Sequence, residues 1–319
     1  MKTRLFVLSL AAACLAYGAA AQTFPTRPLR VVVPWPVAGG PDIGTRAMIP
    51  AFEKQLGQTV IVENRPGANS ITGTRSVAAA APDGYTLLSG NTAFSLNPAA
   101  KLQLPYDSLN DFVPVGEIGR GTGYIVFVAP SSGITSVPEL ITSCKKRDCF
   151  YGSAGIGNAT HLAAAVFSAK TNTPMKHIPY PGVADSMHAL LRGEVTVAFV
   201  TPAAGTGKAL NGELRAIAFT GDTPLKELPE VPLLKEYVQG FRLSGAWLGL
   251  FAPAGTPKSV VETINAALRR AGKNTDVEEQ LSRLGYIPSD RSPEEFADFV
   301  RNDIADWAAA FKVAGVEAQ

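Results

Sequence analysis

Basic excess, histidine, cysteine and long apolar runs are all scarce in this chain, and each scarcity closes off a class of function. Lys and Arg number 29 against 27 Asp and Glu, a formal net charge of +2. That balance leaves no electrostatic footprint for a nucleic acid. The single basic run, Lys145-Lys146-Arg147, reads as a solvated helix end. The three histidines, His161, His177 and His188, include no HExxH arrangement. No zinc site follows from them, and a packing or hydrogen-bonding role is expected for each. No stretch after the N-terminal segment is apolar for the roughly 20 residues of a membrane-spanning helix. The mature protein is therefore expected to be soluble.

What is present begins with the N-terminus. Lys2 and Arg4 precede an apolar run from Leu5 to Tyr17, and Ala19-Ala20-Ala21 offers a cleavage site before Gln22. These are the parts of a secretory signal peptide spanning 1–21, which places the mature protein in the periplasm. A lipid anchor at Cys14 is disfavoured, because Ala11 stands three residues before it and the apolar run continues past it. Cleavage leaves Cys144 and Cys149, five positions apart, as a plausible disulfide in an oxidising compartment.

Apolar β-rich runs alternate with helical patterns along the chain. Strands are predicted at Leu29–Trp35, Thr59–Glu63, Tyr85–Ser89, Ile125–Ala129, His177–Tyr180, Val195–Val200, Leu214–Thr220 and Trp247–Ala252. Helices are predicted at Ile43–Leu56, Ile71–Ala80, Val137–Lys146, Thr160–Ala169, Ala184–Leu191 and Pro257–Arg270. Ser292-Pro293-Glu294-Glu295 is a capping box with Pro at the first helical position. Phe296, Val300, Ile304, Trp307 and Phe311 then form the apolar stripe of a long docked helix. The alternation predicts an α/β protein with mainly parallel sheets flanked by helices.

Two runs look alike: Ile125–Pro130 and Trp247–Pro253 are both apolar strands ending in Ala-Pro. Read as the crossings between two lobes, they give a discontinuous first lobe, 22–124 plus 245–319, around a second of 125–244. A ligand cleft between the lobes follows from such a hinge.

Two strand-to-helix loops carry the chemistry. In the first, 34–42, the glycines at Gly39 and Gly40 let main-chain N–H groups approach a ligand at a helix N-terminus, which favours an anion. Trp35, Val37 and Ala38 complete the candidate contacts. Asp42 is assigned as a loop organiser, because a carboxylate aimed at an anionic ligand would repel it. In the second, 151–161, Ser153, Gly155, Asn158 and Thr160 offer neutral groups for a carboxylate.

Enzyme motifs fail here. Tyr151 stands where a nucleophile elbow needs glycine. Thr160 interrupts a dinucleotide fingerprint after Gly155 and Gly157, and Pro202 and Ala209 break a P-loop likeness. No catalytic set, cofactor or metal is expected.

At these loops the sequence resembles the substrate-binding receptors of tripartite tricarboxylate transporters, the Bug/TctC family. The motifs run in order from Pro28-Leu29-Arg30-Val31-Val32-Val33-Pro34 through Val62-Glu63-Asn64-Arg65-Pro66-Gly67-Ala68 and Ala81-Pro82-Asp83-Gly84-Tyr85-Thr86-Leu87-Leu88. Leu104-Pro105-Tyr106-Asp107, Tyr151-Gly152-Ser153-Ala154-Gly155, Leu228-Pro229-Glu230-Val231-Pro232 and Ala252-Pro253-Ala254-Gly255-Thr256-Pro257 follow. The resemblance implies a two-lobed Venus-flytrap receptor of the periplasmic-binding-protein fold, with no enzymatic activity and a monomeric state. It would capture a small organic acid or related metabolite, held largely by main-chain N–H groups, hydroxyls and waters. Its expected partners are the membrane subunits of the transporter or, alternatively, a membrane sensor protein.

By the same resemblance Asn91 and Thr92 lie at the cleft edge. Pro181 replaces the family's usual basic residue, and Ala184 and Asp185 follow it. Asp185 either meets a ligand ammonium or is a solvated residue starting a helix. Trp35, in place of the family's Phe, either widens apolar contact with the ligand or packs beneath its loop.

Overall fold

The computed structural model describes residues 24–241, 243 and 245–316; the expected signal peptide at 1–21, with Cys14, lies outside the described residues. The first stretch of chain forms β1 (Leu29–Val33), α1 (Gly40–Leu56), β2 (Val60–Asn64), α2 (Ile71–Ala78), β3 (Thr86–Asn91), α3 (Thr92–Ala99) and β4 (Phe112–Gly121). The middle forms β5 (Ile125–Val128), α4 (Val137–Lys146), β6 (Phe150–Ser153), α5 (Ala159–Lys170), β7 (Lys176–Pro179), α6 (Val183–Leu191), β8 (Val197–Val200), α7 (Pro202–Leu210) and β9 (Arg215–Phe219). The last stretch returns as β10 (Trp247–Pro253), α8 (Lys258–Gly272), α9 (Thr275–Arg283), β11 (Tyr286–Pro288) and α10 (Pro293–Ala314).

Two sheets result. The six-stranded sheet has the order β11-β4-β10-β3-β1-β2, and the five-stranded sheet β7-β6-β8-β5-β9. β1 pairs in parallel with both β2 and β3, whereas β10 runs antiparallel between β3 and β4. β1 to β4 therefore all run one way, and β10 and β11 the other. In the second sheet β5 alone opposes the direction of β6, β7, β8 and β9. Strands covered by helices on both faces lose the polar–apolar alternation, and β5 and β8 are buried at every residue.

Four elements leave little trace in the sequence pattern. β4 contains Pro114 and the glycines Gly116, Gly119 and Gly121, which disguise a ten-residue strand. α3 is buried at seven of its eight residues, so it shows no amphipathic period. α7 carries Gly205 and Gly207, and α9 follows α8 with only Lys273 and Asn274 between them.

The chain crosses between the sheets at 122–124, just before β5, and again at 245–246, just before β10, after a segment whose Leu225, Leu228, Val231, Leu234 and Val238 pack in the cores of the second sheet. At the join, main chain packs on main chain. A Cβ at Gly121 would meet Ala246 O at 2.8 Å, one at Gly123 would meet Gly221 N at 2.7 Å, and one at Gly245 would meet Gly123 N at 2.8 Å. Backbone cannot swing aside as a side chain can. Gly245→Ala is therefore expected to destabilise the fold by about 2 kcal/mol through overpacking, seen as a lower urea midpoint at unchanged slope. An unchanged midpoint would mean that the crossing is slack.

The long C-terminal helix bridges the two halves. Phe296 and Val300 pack with Trp247 and Phe251 of the first sheet's core, while Trp307, Ala310 and Phe311 join Leu162, Val166 and Phe199 beneath the second. Ser292 caps α10 with the reciprocal Glu295 bond. Cys144 at the end of α4 is bonded to Cys149, with an S–S distance of 2.09 Å.

Candidate ligand-binding site

The loop 34–39 leaves the C-terminal end of β1, and the loop 154–158 leaves that of β6. Gly285, at the entry to β11, lies at the C-terminal end of β4, since Tyr286 pairs with Gly121. Ala203 follows the C-terminal end of β8, which runs parallel to β6. A Cβ on Gly285 would sit 2.9 Å from Ala203 N, so these two ends touch. The sheet edges that carry the two loops therefore face each other across the join.

Asp42 builds the first loop from below. It is 1% exposed. Its Oδ2 accepts the Ala38 N–H at 2.9 Å, and its Oδ1 accepts Arg46 Nε at 2.9 Å and Asn64 Nδ2 at 2.8 Å. Burial pushes this carboxyl up, but the bonds from Asn64, Ala38 and Arg46 outweigh it and hold the carboxyl below its usual range. Ala38 takes a left-handed conformation, φ 63°, which an L side chain adopts only when its surroundings fix it. Asn64 also donates to Trp35 O at 3.0 Å. The indole of Trp35 is half-buried, with its Nε1 shielded and lacking an acceptor among the described residues. Val37 projects outward at 69% exposure, and Gly40 has open space around its Cα.

The second loop is closed on itself. Ala154 N–H donates to Thr160 Oγ1 at 3.1 Å, Gly155 N–H to Ser153 Oγ at 3.2 Å, Gly157 N–H to His161 Nδ1 at 3.0 Å and Asn158 N–H to Gly155 O at 3.3 Å. Asn158 Oδ1 accepts both the N–H and the hydroxyl of Thr160. Within 154–158, the Ile156 N–H and the Asn158 Nδ2 amide have no partner among the described residues, and they stand at the N-terminus of α5. The sequence pattern offers every polar atom here to a ligand, whereas the structure commits most of them to the loop itself. The same holds at β3. Asn91 Oδ1 caps α3 through Ala93 N at 3.2 Å, and Thr92 Oγ1 accepts the Trp247 N–H at 3.2 Å. Ala184 and Asp185 are exposed in the first turn of α6.

One contact escapes sequence reasoning altogether. Ser153 Oγ lies 2.6 Å from His177 Nε2, the pairing of a nucleophile with a base. Ser153 is nevertheless 1% exposed. Its Oγ is also 3.1 Å from Gly155 O, and no carboxylate bonds His177 among the described residues. The pair is scaffold. Its members stand 24 positions apart in the chain, which hides the pair from any local motif.

A cavity of about 890 Å³ at the join is lined by Glu117, Arg120, Asp222, Asp290, Arg291 and neighbours, and contains none of the loop residues above. Five carboxylates against two guanidinium groups give it the wrong sign for an organic acid.

Two mixed sheets in which most strands share one direction, joined by two crossings with strand-to-helix loops facing across the join, define a two-lobed binding protein of the periplasmic-binding-protein class. The sequence model of the tripartite tricarboxylate transporter family receptor (TctC) matches residues 45–316. The chain belongs to that receptor family. Its sequence is 29% identical over 312 residues to protein BugT of Bordetella pertussis, covering 97% of this chain and 95% of BugT. Among solved structures, the periplasmic binding protein BugD is similar at TM-score 0.76 and 31% identity, covering 93% of this chain and 100% of that one. A Rhodopseudomonas palustris protein solved with adipate is similar at TM-score 0.78 and 28% identity, covering 92% and 99%. MatC of the same organism, solved with bound malate, is similar at TM-score 0.74 and 28% identity, covering 90% and 99%.

Proposed function

We propose that this protein is a periplasmic receptor that captures a small carboxylate-bearing metabolite between two lobes, 22–124 plus 245–319 and 125–244, and delivers it to a tripartite tricarboxylate-type transporter in the membrane. The observation that carries this reading is the pair of spare donors, Ile156 N–H and Asn158 Nδ2, at the start of α5 in an otherwise self-satisfied loop. A helix N-terminus with unspent donors favours an anion, and a carboxylate takes two such bonds at once. The exposed Val37 and Ile156, 69% and 49%, flank the site with apolar surface and suit a ligand with a short aliphatic body. Similar proteins solved with malate and adipate support the class. Neither loop contains Lys or Arg, so binding rests on neutral donors and water bridges, which can be enthalpically nearly as good as direct bonds.

A thermal-shift screen of refolded mature protein tests this directly, with malate, adipate, tricarboxylates, aromatic acids and amino acids. A true ligand at about a hundred times its Kd stabilises the fold by roughly 2.7 kcal/mol, a visible rise in Tm. Gly40→Phe, at a position with open space, is expected to leave Tm unchanged and weaken the hit at least about tenfold by obstructing the loop. No shift with any acid would overturn the carboxylate assignment.

A further inference from the structure

Beneath the second loop two histidine rings lie face to face, centroids 3.8 Å apart and planes within 7°. Tyr151 of β6 extends the stack, its ring 4.9 Å from that of His177. The pair reaches both ends of the loop. His177, on the edge strand β7, holds Ser153 Oγ at 2.6 Å where the loop begins. His161, in the first turn of α5, accepts the Gly157 N–H at 3.0 Å where the loop ends. We propose that His161 and His177 are positioning residues for ligand capture: as an uncharged stacked pair they pin both ends of loop 153–158 and so aim the Ile156 N–H and the Asn158 amide outward. This rests on the reading of that loop as part of the ligand site.

The hydrogen-bond pattern dictates the charge state. A ring nitrogen that accepts an N–H carries no proton, so His161 is neutral with its hydrogen on Nε2. Rings stacked at 3.8 Å cannot both take a charge without strong repulsion. Burial first, and then the His177 ring, hold His161 down to about 4, and burial lowers His177 as well.

Nothing nearby compensates. From β6 the stack meets Tyr151, kept neutral because burial pushes it up to about 12. On β7, Lys176 pairs with Asp148 at 3.3 Å, and burial raises Tyr180 at the end of the strand. α5 contributes only Lys170, at its opposite end, and the loop 154–158 has no titratable side chain. With no carboxylate bonded to either ring among the described residues, burial favours the uncharged pair at neutral pH.

Side-chain shape gives the test. Asparagine places its amide oxygen near the position of a histidine Nδ1, and glutamine near that of Nε2. His161→Asn and His177→Gln should therefore keep the loop pinned, whereas His161→Gln and His177→Asn should release it. Two readouts are made on each full-length mature variant. One is hydrogen-exchange protection of the Gly157 amide without ligand, and the other is calorimetric affinity for adipate at pH 7.5. The expected result is crossed. Protection and affinity stay within about threefold of the native protein for the first two variants and fall about tenfold or more for the others. In the native protein the Gly157 amide resonance should also titrate with a midpoint near 4, and His161→Asn should abolish that titration.

Equal losses in all four variants, or none in any, would overturn the positioning role in favour of plain packing. Protection that follows the crossed pattern while adipate affinity does not would keep the pinning and sink the ligand-site reading instead. If the native protein takes up no adipate, the exchange pattern alone decides.

Discussion

Replacing Asp42 with Ala is expected to lower the unfolding free energy by about 2–3 kcal/mol and to weaken ligand binding at least about tenfold. The carboxylate is buried and serves three donors at once, so its removal strands the Ala38 N–H and frees Asn64 and Arg46. The Arg46 guanidinium is 45% exposed, so its share of the cost is small after solvent screening. Most of the loss comes from the Ala38 N–H, left without its acceptor, and from Asn64 Nδ2, left with Trp35 O alone. Binding falls because Ala38 relaxes from its left-handed conformation once nothing holds it, and Gly39 and Gly40 move with it. Urea titration and calorimetry on the same variant separate the two effects. A large stability loss at unchanged affinity would remove the first loop from the ligand site.

The second large effect is acid sensitivity through His161. Its folded value, about 4, lies below the ordinary 6.5 of the unfolded chain. The unfolded state therefore binds the proton more readily, and stability falls as pH falls from 6.5 toward 4. The full contribution is present above 6.5, and the 2.5-unit gap corresponds to about 3 kcal/mol at its limit. His177, lowered by burial, adds to the loss with the same sign. Urea unfolding at pH 7.5 and pH 4.5, compared with His161→Asn, isolates the term, because carboxylate contributions are common to both proteins. If the variant loses as much stability as the native chain over that interval, His161 is not the group responsible.

Much of the fold could be read from apolar runs alone. β1, β5 and β10 are rich in Val, Ile, Leu, Phe and Trp, with Arg30 the single charged residue among them, and the capping box before α10 marks its first residue. β4 and α3 could not be read in this way. Three glycines break the pattern of β4, and burial on every side removes any period from α3. The pairing of β10 between β3 and β4 joins segments more than 120 residues apart, which no local pattern encodes.

Within the candidate site, glycine positions and strand-to-helix junctions point to the two loops, because only such junctions offer free N–H groups at a helix start. What each polar atom does there is another matter. The hydroxyl of Thr160 and the carbonyl of Asn158 serve one another, Thr92 serves Trp247, and Ser153 serves His177. The sequence by itself determined the α/β class and the places where strand-to-helix loops form, since these follow from local periodicity and local turn chemistry, and its ordered motifs carried the resemblance to the family. Only the tertiary structure decided which donors remain free, because a hydrogen bond is satisfied by whatever lies within about 3 Å. In this chain the decisive partners, His177 for Ser153 and Asn64 for Asp42, arrive from strands 24 and 22 residues away.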